Sequence, residues 1–371
     1  MCMSMRRRRG AVRVSEERAG QATSEPRTVT IKDVASRAGV GLGTVSRVLN
    51  GNENVAPQLR DQVFRAVQEL GYRPNSVARS MRLGKSYAVG CLVTDIRQPI
   101  AAEMIAAAET TLGRAGYTLI VASTHFDNGR EAEILSLMQN RVVDGMLLTV
   151  NRDNDPDVAQ RLAAINIPMV LWERSPSGGF DTVLTKHRDG ARSATAHLLE
   201  LGHREIALVA GHLDTWVGRE QKAGFDAAFA DHGLEAAAGL VFEVGLFKMR
   251  ELEALCRRER PITAIIANID EIPGILRFCA KRGLMLPRDL SIVSIGDASI
   301  LEVMTPSITA VRGNGTKVAQ LAANLLLKKM SDKQPETVPE RLTVGMQLKV
   351  RRSTAPLGTG GENGSGRQGR V

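Results

Sequence analysis

The residues best placed to do chemistry in this chain are its arginines and lysines, because their excess lies at one end. Residues 1–86 hold 16 Lys and Arg against 7 Asp and Glu, while the rest of the chain holds 33 of each, so the formal charge of +9 resides in the N-terminal quarter. A basic head on a neutral body suits a polyanionic partner, nucleic acid ahead of a membrane surface. For residues 1–27 taken alone, a solvated basic tail is the other reading. No other grouping of reactive side chains stands out. Cys2, Cys91, Cys256 and Cys279 lie far apart without a Cys-x-x-Cys pair, so neither a zinc site nor a disulfide framework is expected and a reduced, cytoplasmic chain is the default. The six histidines do not fall at metal-ligand spacing, and Leu201-Gly-His203 suits the close of a helix better than a metal. Gly-x-Ser-x-Gly, Walker and His-Glu-x-x-His patterns are absent, so no enzyme and no cofactor is expected. Arg6 to Arg9 are followed by no apolar stretch, and no run of about eighteen apolar residues occurs anywhere. Neither a secretory signal nor a membrane span is expected.

Two kinds of element must position these groups. From Thr28 to Gly71 three short helical patterns are separated by turns. Thr30, with Asp33 three residues on, has the spacing of a capping box, and Ile31, Val34, Ala35 and Ala38 form the inward stripe of a first helix. Gly39 ends it. A second helix, Leu42 to Leu49, turns Val45, Val48 and Leu49 inward. A third begins at Pro57, with Leu59, Val63, Val67 and Leu70 as its stripe and Gly71 as its C-terminal cap. This is a helix-turn-helix pattern or a plain three-helix bundle. From Tyr87 onward, apolar runs such as AVGCLVTDI, VDGMLLTV, EIALVAG and LSIVSIG alternate with amphipathic helices, which implies parallel sheets covered on both faces. Seven such units exceed one ordinary sheet. With 43% hydrophobic and 24% charged residues, the chain can bury the core that two lobes need. The expected fold is a small all-α helix-turn-helix head plus an α/β core of two doubly wound parallel-sheet lobes. The lobes should meet near residue 186 and take a ligand at the carboxyl ends of their strands.

The segment Val29-Thr-Ile-Lys-Asp-Val-Ala-Ser-Arg-Ala-Gly-Val-Gly-Leu-Gly-Thr-Val-Ser-Arg-Val-Leu-Asn50 closely resembles the DNA-binding head of the LacI/GalR family of bacterial repressors. Its continuation does so too, in Gly71-Tyr-Arg-Pro-Asn75 and Ala78-Arg-Ser-Met-Arg82, and echoes recur at His197-Leu198, Leu201-Gly-His203 and Leu286-Pro-Arg-Asp-Leu-Ser291. Residues 1–27, basic and without hydrophobic period, and the Gly-rich residues 355–371 read as disordered tails from their composition. Between them the resemblance implies a head at 28–74, a hinge helix and linker at 75–86, and a two-lobed effector-binding and dimerisation core similar to periplasmic binding proteins at 87–354. It further implies a homodimer or tetramer on a near-palindromic double-stranded operator, with a small effector shifting DNA affinity. Leu42, Gly43 and Arg47 occupy the family's base-reading positions, and Arg47 can pair with guanine O6 and N7 for about 1–3 kcal/mol of discrimination. Thr30, Thr44, Ser46 and Asn50 match phosphate-contacting positions, though Thr30 is also a cap. Asn54, Tyr72, Asn75 and Ala78 join the DNA-facing set, and Met81 matches the apolar wedge that unstacks a minor-groove base step.

The resemblance breaks down in the expected pocket. Phe247 matches an aromatic wall and Asn268 a ligand-bonding amide, although both also suit ordinary packing and loop roles. Gln221 stands where the family has a pocket arginine. Gly296 replaces the first acid of an Asp-Asp pair, leaving Asp297. Ile269 and Ile100 replace polar or aromatic residues. Losing the charged anchors argues against an ordinary hexose, because charge-assisted bonds contribute about 1.5–3 kcal/mol each. Either a less polar ligand packed on Phe247 or control without a small effector is expected. A solute-binding protein or a nucleotide-using enzyme could be built on the same core. The basic head and missing export signal weigh against the first, and the lack of a Gly-rich phosphate loop against the second.

Overall fold

The computed structural model describes residues 29–49, 54–72, 85–140, 143–236, 239–331 and 338–358. They fall into two compact units divided after Arg79. Asn50, Asn75, Ala78 and Met81 lie outside the described residues, as do the expected tail 1–27, hinge residues 75–84 and residues 359–371.

The first unit contains α1 (Ile31–Ala38), α2 (Leu42–Leu49) and α3 (Pro57–Leu70). The Asp33 carboxylate accepts both the Thr30 N–H at 2.8 Å and the Thr30 hydroxyl at 2.7 Å, which fixes the first turn of α1. Gly39 closes that helix at φ 67°, a left-handed conformation in which its own N–H and that of Val40 reach back to the last carbonyls. Val34, Val45 and Val63 are fully buried between the three helices, with Ala35, Val48, Val55 and Ala66 around them. The expected stripe of α3 needs one correction. Leu59 is exposed, because the eight-residue α1 and α2 cannot cover all of the fourteen-residue α3, and Ala66 takes the inward place.

The second unit holds two six-stranded sheets. In the first, β1 (Ala88–Val93), β2 (Thr118–Ser123), β3 (Gly145–Leu148), β4 (Met169–Trp172), β5 (Thr182–Thr185) and β11 (Arg341–Val344) run parallel in the order β11-β5-β4-β3-β1-β2. In the second, β6 (Ile206–Ala210), β7 (Val241–Glu243), β8 (Ala264–Asn268), β9 (Ser291–Ile295), β10 (Thr309–Arg312) and β12 (Gln347–Lys349) take the order β12-β10-β9-β8-β6-β7, with β12 alone antiparallel. Helices α4 (Pro99–Arg114), α5 (Asn128–Gln139) and α6 (Pro156–Ala163) follow strands of the first sheet, α7 (His187–Glu200) leads from β5 into β6, and α8 (Trp216–Asp231), α9 (Met249–Arg257), α10 (Ile272–Arg282) and α11 (Ser299–Val303) follow strands of the second. Strands β1, β6 and β9 are buried along their whole length, as unbroken apolar runs between two helix layers must be.

The lobes are not consecutive halves of the chain. The first crossing falls near residue 186, between β5 and α7, as expected. The chain then returns: α12 (Gly315–Ser331) lays Val318, Ala319 and Ala322 against Val89, Met104 and Trp172 of the first lobe. Strand β11 completes the first sheet beside β5, and β12 goes back to the second. The two sheets thus share three passages of backbone. Past the expected core boundary at 354, the Leu357 N–H still bonds the Leu201 carbonyl at 2.8 Å, so the ordered body continues through that residue. Buried His203 joins the same corner, bonding Thr263 at 2.8 Å and the Ala355 carbonyl at 3.0 Å. The Gly202 and His203 N–H groups bond the Leu199 and Leu198 carbonyls at 3.0 Å each, which is the helix-closing role expected of Leu201-Gly-His203, and burial holds the imidazole below its usual range.

Candidate functional site

In the first unit, α2 is buried on one side through Val45 and Val48 and open on the other. Leu42, Gly43 and Arg47 are all exposed, Thr44 and Ser46 half-buried. The Arg47 Nε donates to the Gly43 carbonyl one turn back at 3.2 Å, so the guanidinium rests along its own helix. Thr30 is exposed, but its hydroxyl proton is committed to Asp33, which fits the capping reading over phosphate donation. Asn54 is exposed, and half-buried Tyr72 packs on the small core.

In the second unit the sheets' carboxyl ends enclose a cavity of about 520 Å³. Residues just beyond β1, β3, β4, β6, β8 and β9 border it, which is where parallel sheets place ligands. The lobes are tied together through Asp153, fully buried after β3. Its carboxylate accepts the Ser175 N–H at 2.7 Å, the Trp216 N–H at the start of α8 at 2.8 Å, and Arg219 at 3.0 Å. Arg152 and Asp214 add a second ion pair between the lobes at 2.8 Å.

Three of the four expected pocket residues border this cavity, and their polar groups are largely committed to protein partners. The Gln221 carbonyl accepts the Gly211 N–H at 2.7 Å, and its amide nitrogen faces Asn268 at 3.4 Å. Asn268 in turn donates to the Val209 carbonyl at 3.3 Å. Asp297 takes both nitrogens of Arg351 in a fork at 2.9 Å each. Phe247 must be corrected. It does not border the cavity but packs on Phe242, ring centres 5.2 Å apart, in the outer core of the second lobe. Its backbone follows the turn after β7, which aims the ring at α9 and β8 rather than into the cleft. The packing alternative is the one realised.

The polar pole of the cavity was not singled out in the sequence. At the end of β4, Glu173 adopts φ 56°, a left-handed conformation costly for a side chain larger than glycine. Its carboxylate accepts the Thr185 N–H at 3.0 Å, the Thr185 hydroxyl at 2.6 Å and His187 Nε2 at 2.5 Å. Burial works to raise the carboxyl's pKa, but His187 and the Thr185 hydroxyl outweigh it and hold the group below the usual range. Arg174, also buried, donates to the Val150 and Glu173 carbonyls, and burial pulls its pKa down. Two buried polar atoms on this wall have no partner in the protein: Trp172 Nε1 and His187 Nδ1. No sequence motif links Trp172, Glu173 and His187, which come together only because β4 and the start of α7 are neighbours across the first interlobe passage. No cluster of three or more metal-binding side chains occurs among the described residues. None of their helices is long and apolar enough to cross a membrane.

The architecture defines a class: a small helix-turn-helix unit joined to a core of periplasmic-binding-protein type. Residues 30–75 match the description "Bacterial regulatory proteins, lacI family", and residues 195–354 match the periplasmic binding protein-like domain. The HTH-type transcriptional repressor PurR of Erwinia tasmaniensis is 33% identical over 336 residues, covering 88% of this chain and 97% of the relative. PurR of Escherichia coli is 31% identical with the same coverage. Among solved structures, the transcriptional regulator CelR in complex with cellobiose is 29% identical, with a TM-score of 0.65 over 88% of this chain and 99% of that one. A lac repressor dimer bound to operator and the anti-inducer ONPF shares the fold, with a TM-score of 0.78 at 24% identity over 89% of this chain and 100% of that one. The chain belongs to the LacI family and is a DNA-binding transcriptional repressor.

Proposed function

We propose that this repressor binds a near-palindromic operator as a homodimer, reading bases with Leu42, Gly43 and Arg47 of α2 and switching through a ligand in the interlobe cavity that is less polar than a hexose. The observation that carries the DNA reading is the one-sided burial of α2, which leaves the three base-reading positions exposed. Arg47 carries most of the direct readout, since Leu42 offers only apolar contact to a thymine methyl and Gly43 no side chain. Thr44, Ser46, Asn50, Asn54, Tyr72 and Asn75 anchor phosphates, while Ala78 and Met81 approach the minor groove, Met81 as the wedge. The dimeric lac repressor on its operator supports the assembly. The edge strand β2, which leaves Ile120 and Val121 exposed, also favours it. The effector reading rests on the occupied state of the family's anchors: Gln221 serves Gly211, and Asp297 serves Arg351. CelR, solved with cellobiose, stands for the competing saccharide reading.

Selection of bound sites from random DNA, followed by retardation assays with a thermal-shift screen of sugars, nucleobases and apolar acids, tests both halves. A two-fold-related consensus bound by a dimer is expected, with release or tightening by a cavity ligand. A monomer on a site without symmetry refutes the assembly, and micromolar binding of a free hexose refutes the ligand reading.

A further inference from the structure

The three passages between the lobes leave from one edge of the sheets: β11 and β5 stand first in one strand order, β12 and β10 in the other. The cleft therefore hinges along that edge and opens toward the opposite one. There β2 is the last strand of the first sheet, four strand spacings or about 19 Å from β5. At this open edge one side chain reaches across. Phe126, just after β2, meets His212, just after β6, edge to face with ring centres 5.3 Å apart, and both residues border the cavity.

The turn that carries Phe126 has a backbone that bulky residues rarely adopt, since His125 and Phe126 are both left-handed, at φ 52° and 62°. Glycine or asparagine would occupy it at less cost. Three tethers hold it in place. The His125 N–H bonds the Thr94 carbonyl at 2.8 Å, and the buried Thr124 hydroxyl donates to Asn151 at 2.5 Å. Asp127 accepts the Gly129 and Arg130 N–H groups at 2.8 and 3.0 Å and so caps α5. Strain fixed by such tethers is a mark of ligand clamps and switch segments. Core packing does not account for the ring: Phe126 is 40% exposed and belongs to none of the hydrophobic clusters of the described residues. Across the cleft, the His212 carbonyl accepts the Thr215 N–H at 2.9 Å and the Thr215 hydroxyl at 2.6 Å, which fixes the half-buried imidazole at the start of α8.

Resting on the reading of this cavity as the effector site, we infer that Phe126 and His212 are its gate: a ligand enters by parting the two rings, and their renewed contact holds the lobes shut over it. Position makes this pair more sensitive to opening than the Asp153 tether. A rotation of about 15° about the passages carries Phe126 roughly 5 Å, enough to separate the rings, whereas Asp153, after β3 and two strands from β5, moves about half as far.

The test uses the full-length protein carrying Cys2→Ser and Cys256→Ser, Cys91 and Cys279 being buried. A thiol is placed in the cavity wall by Ile295→Cys, at a buried position, and its rate of labelling by dithionitrobenzoate is followed. Phe126→Ala should speed labelling roughly tenfold and Phe126→Leu nearly as much, while Phe126→Tyr keeps the parent rate, because a ring and not bulk closes the gate. If Ile295→Cys unfolds, Ile269→Cys in the same wall replaces it. Equal rates in the Phe126→Ala and parent proteins, or full rescue by leucine, overturn the gate and leave the effector reading untouched. Operator retardation then separates the two levels. With Ile295 restored, Phe126→Cys and His212→Cys bridged by dibromobimane give a locked gate, to be compared with the freed gate of Phe126→Ala. Operator affinities that differ at least fivefold support gate and effector reading together. Faster labelling of the freed protein with equal operator affinities keeps the gate and overturns the effector reading.

Discussion

Arg47 donates its Nε–H to the Gly43 carbonyl at 3.2 Å, and the bidentate base pair proposed for it draws on the other guanidinium N–H groups. Arg47→Ala should therefore cost about 1–3 kcal/mol of specific binding and relax the consensus at one base position, while Lys85→Ala weakens all sequences alike. Competition assays on a library of single-base operator variants would show the difference, and equal loss of selectivity in both variants would count against it. Glu131 is a second instructive residue. It is fully buried on α5, with one oxygen on the Asn151 N–H at 2.5 Å and Arg161 as far as 3.9 Å from the other. Burial raises its carboxyl pKa, so the folded protein holds the proton more tightly than the unfolded chain. Its contribution to stability is then greatest below the ordinary carboxylate range and is lost as pH rises through the folded value. Glu131→Gln should stabilise the protein at pH 7, with the advantage shrinking toward pH 4, as urea midpoints would record. Legibility at this scale was uneven. The Arg47 position was readable because the head motif is local and dense. The Glu173–His187 pair was not, because it forms only where the end of β4 meets the start of α7.

Among the elements, α7 and α8 pack most closely, and Gly224 sets their distance. A β-carbon there would lie 2.1 Å from the Arg188 carbonyl oxygen and 3.0 Å from the Ala191 methyl. Since a backbone carbonyl cannot swing away as a side chain can, Gly224→Ala should destabilise the second lobe by about 1–3 kcal/mol, with the helices forced apart. Guanidinium unfolding measures this, and an unchanged midpoint would show that the crossing is softer than it looks. The long apolar strands were legible because burial on both faces leaves an unbroken hydrophobic run, as in β1 and β9. Strands β5 and β10, four residues each and opening on threonine, carried too little signal, and half-exposed β11 and β12 even less. Leu59 misled for a related reason: periodicity reports which face turns inward, not how far a neighbouring helix reaches.

For the whole molecule, the segregation of charge makes the head the electrostatic partner of DNA. Raising salt from 50 to 200 mM should weaken operator binding steeply, with a log–log slope that decreases by roughly one for each phosphate-contacting cation removed. A flat salt profile would be incompatible with the nine-charge surplus acting on the backbone. The two lobes themselves were legible, but their boundary was readable only at its first passage, since nothing in residues 315–349 announces that the chain revisits a finished-looking sheet. That return has a consequence for biosynthesis. When residue 200 leaves the ribosome, the first sheet still lacks β11, and the face that α12 covers is bare. At roughly 5–20 residues per second, α12 follows only on the order of ten seconds later. During that interval the nascent chain presents an apolar surface as wide as a helix, and a chaperone competing for it has a kinetic window that a repressor with contiguous lobes would never open.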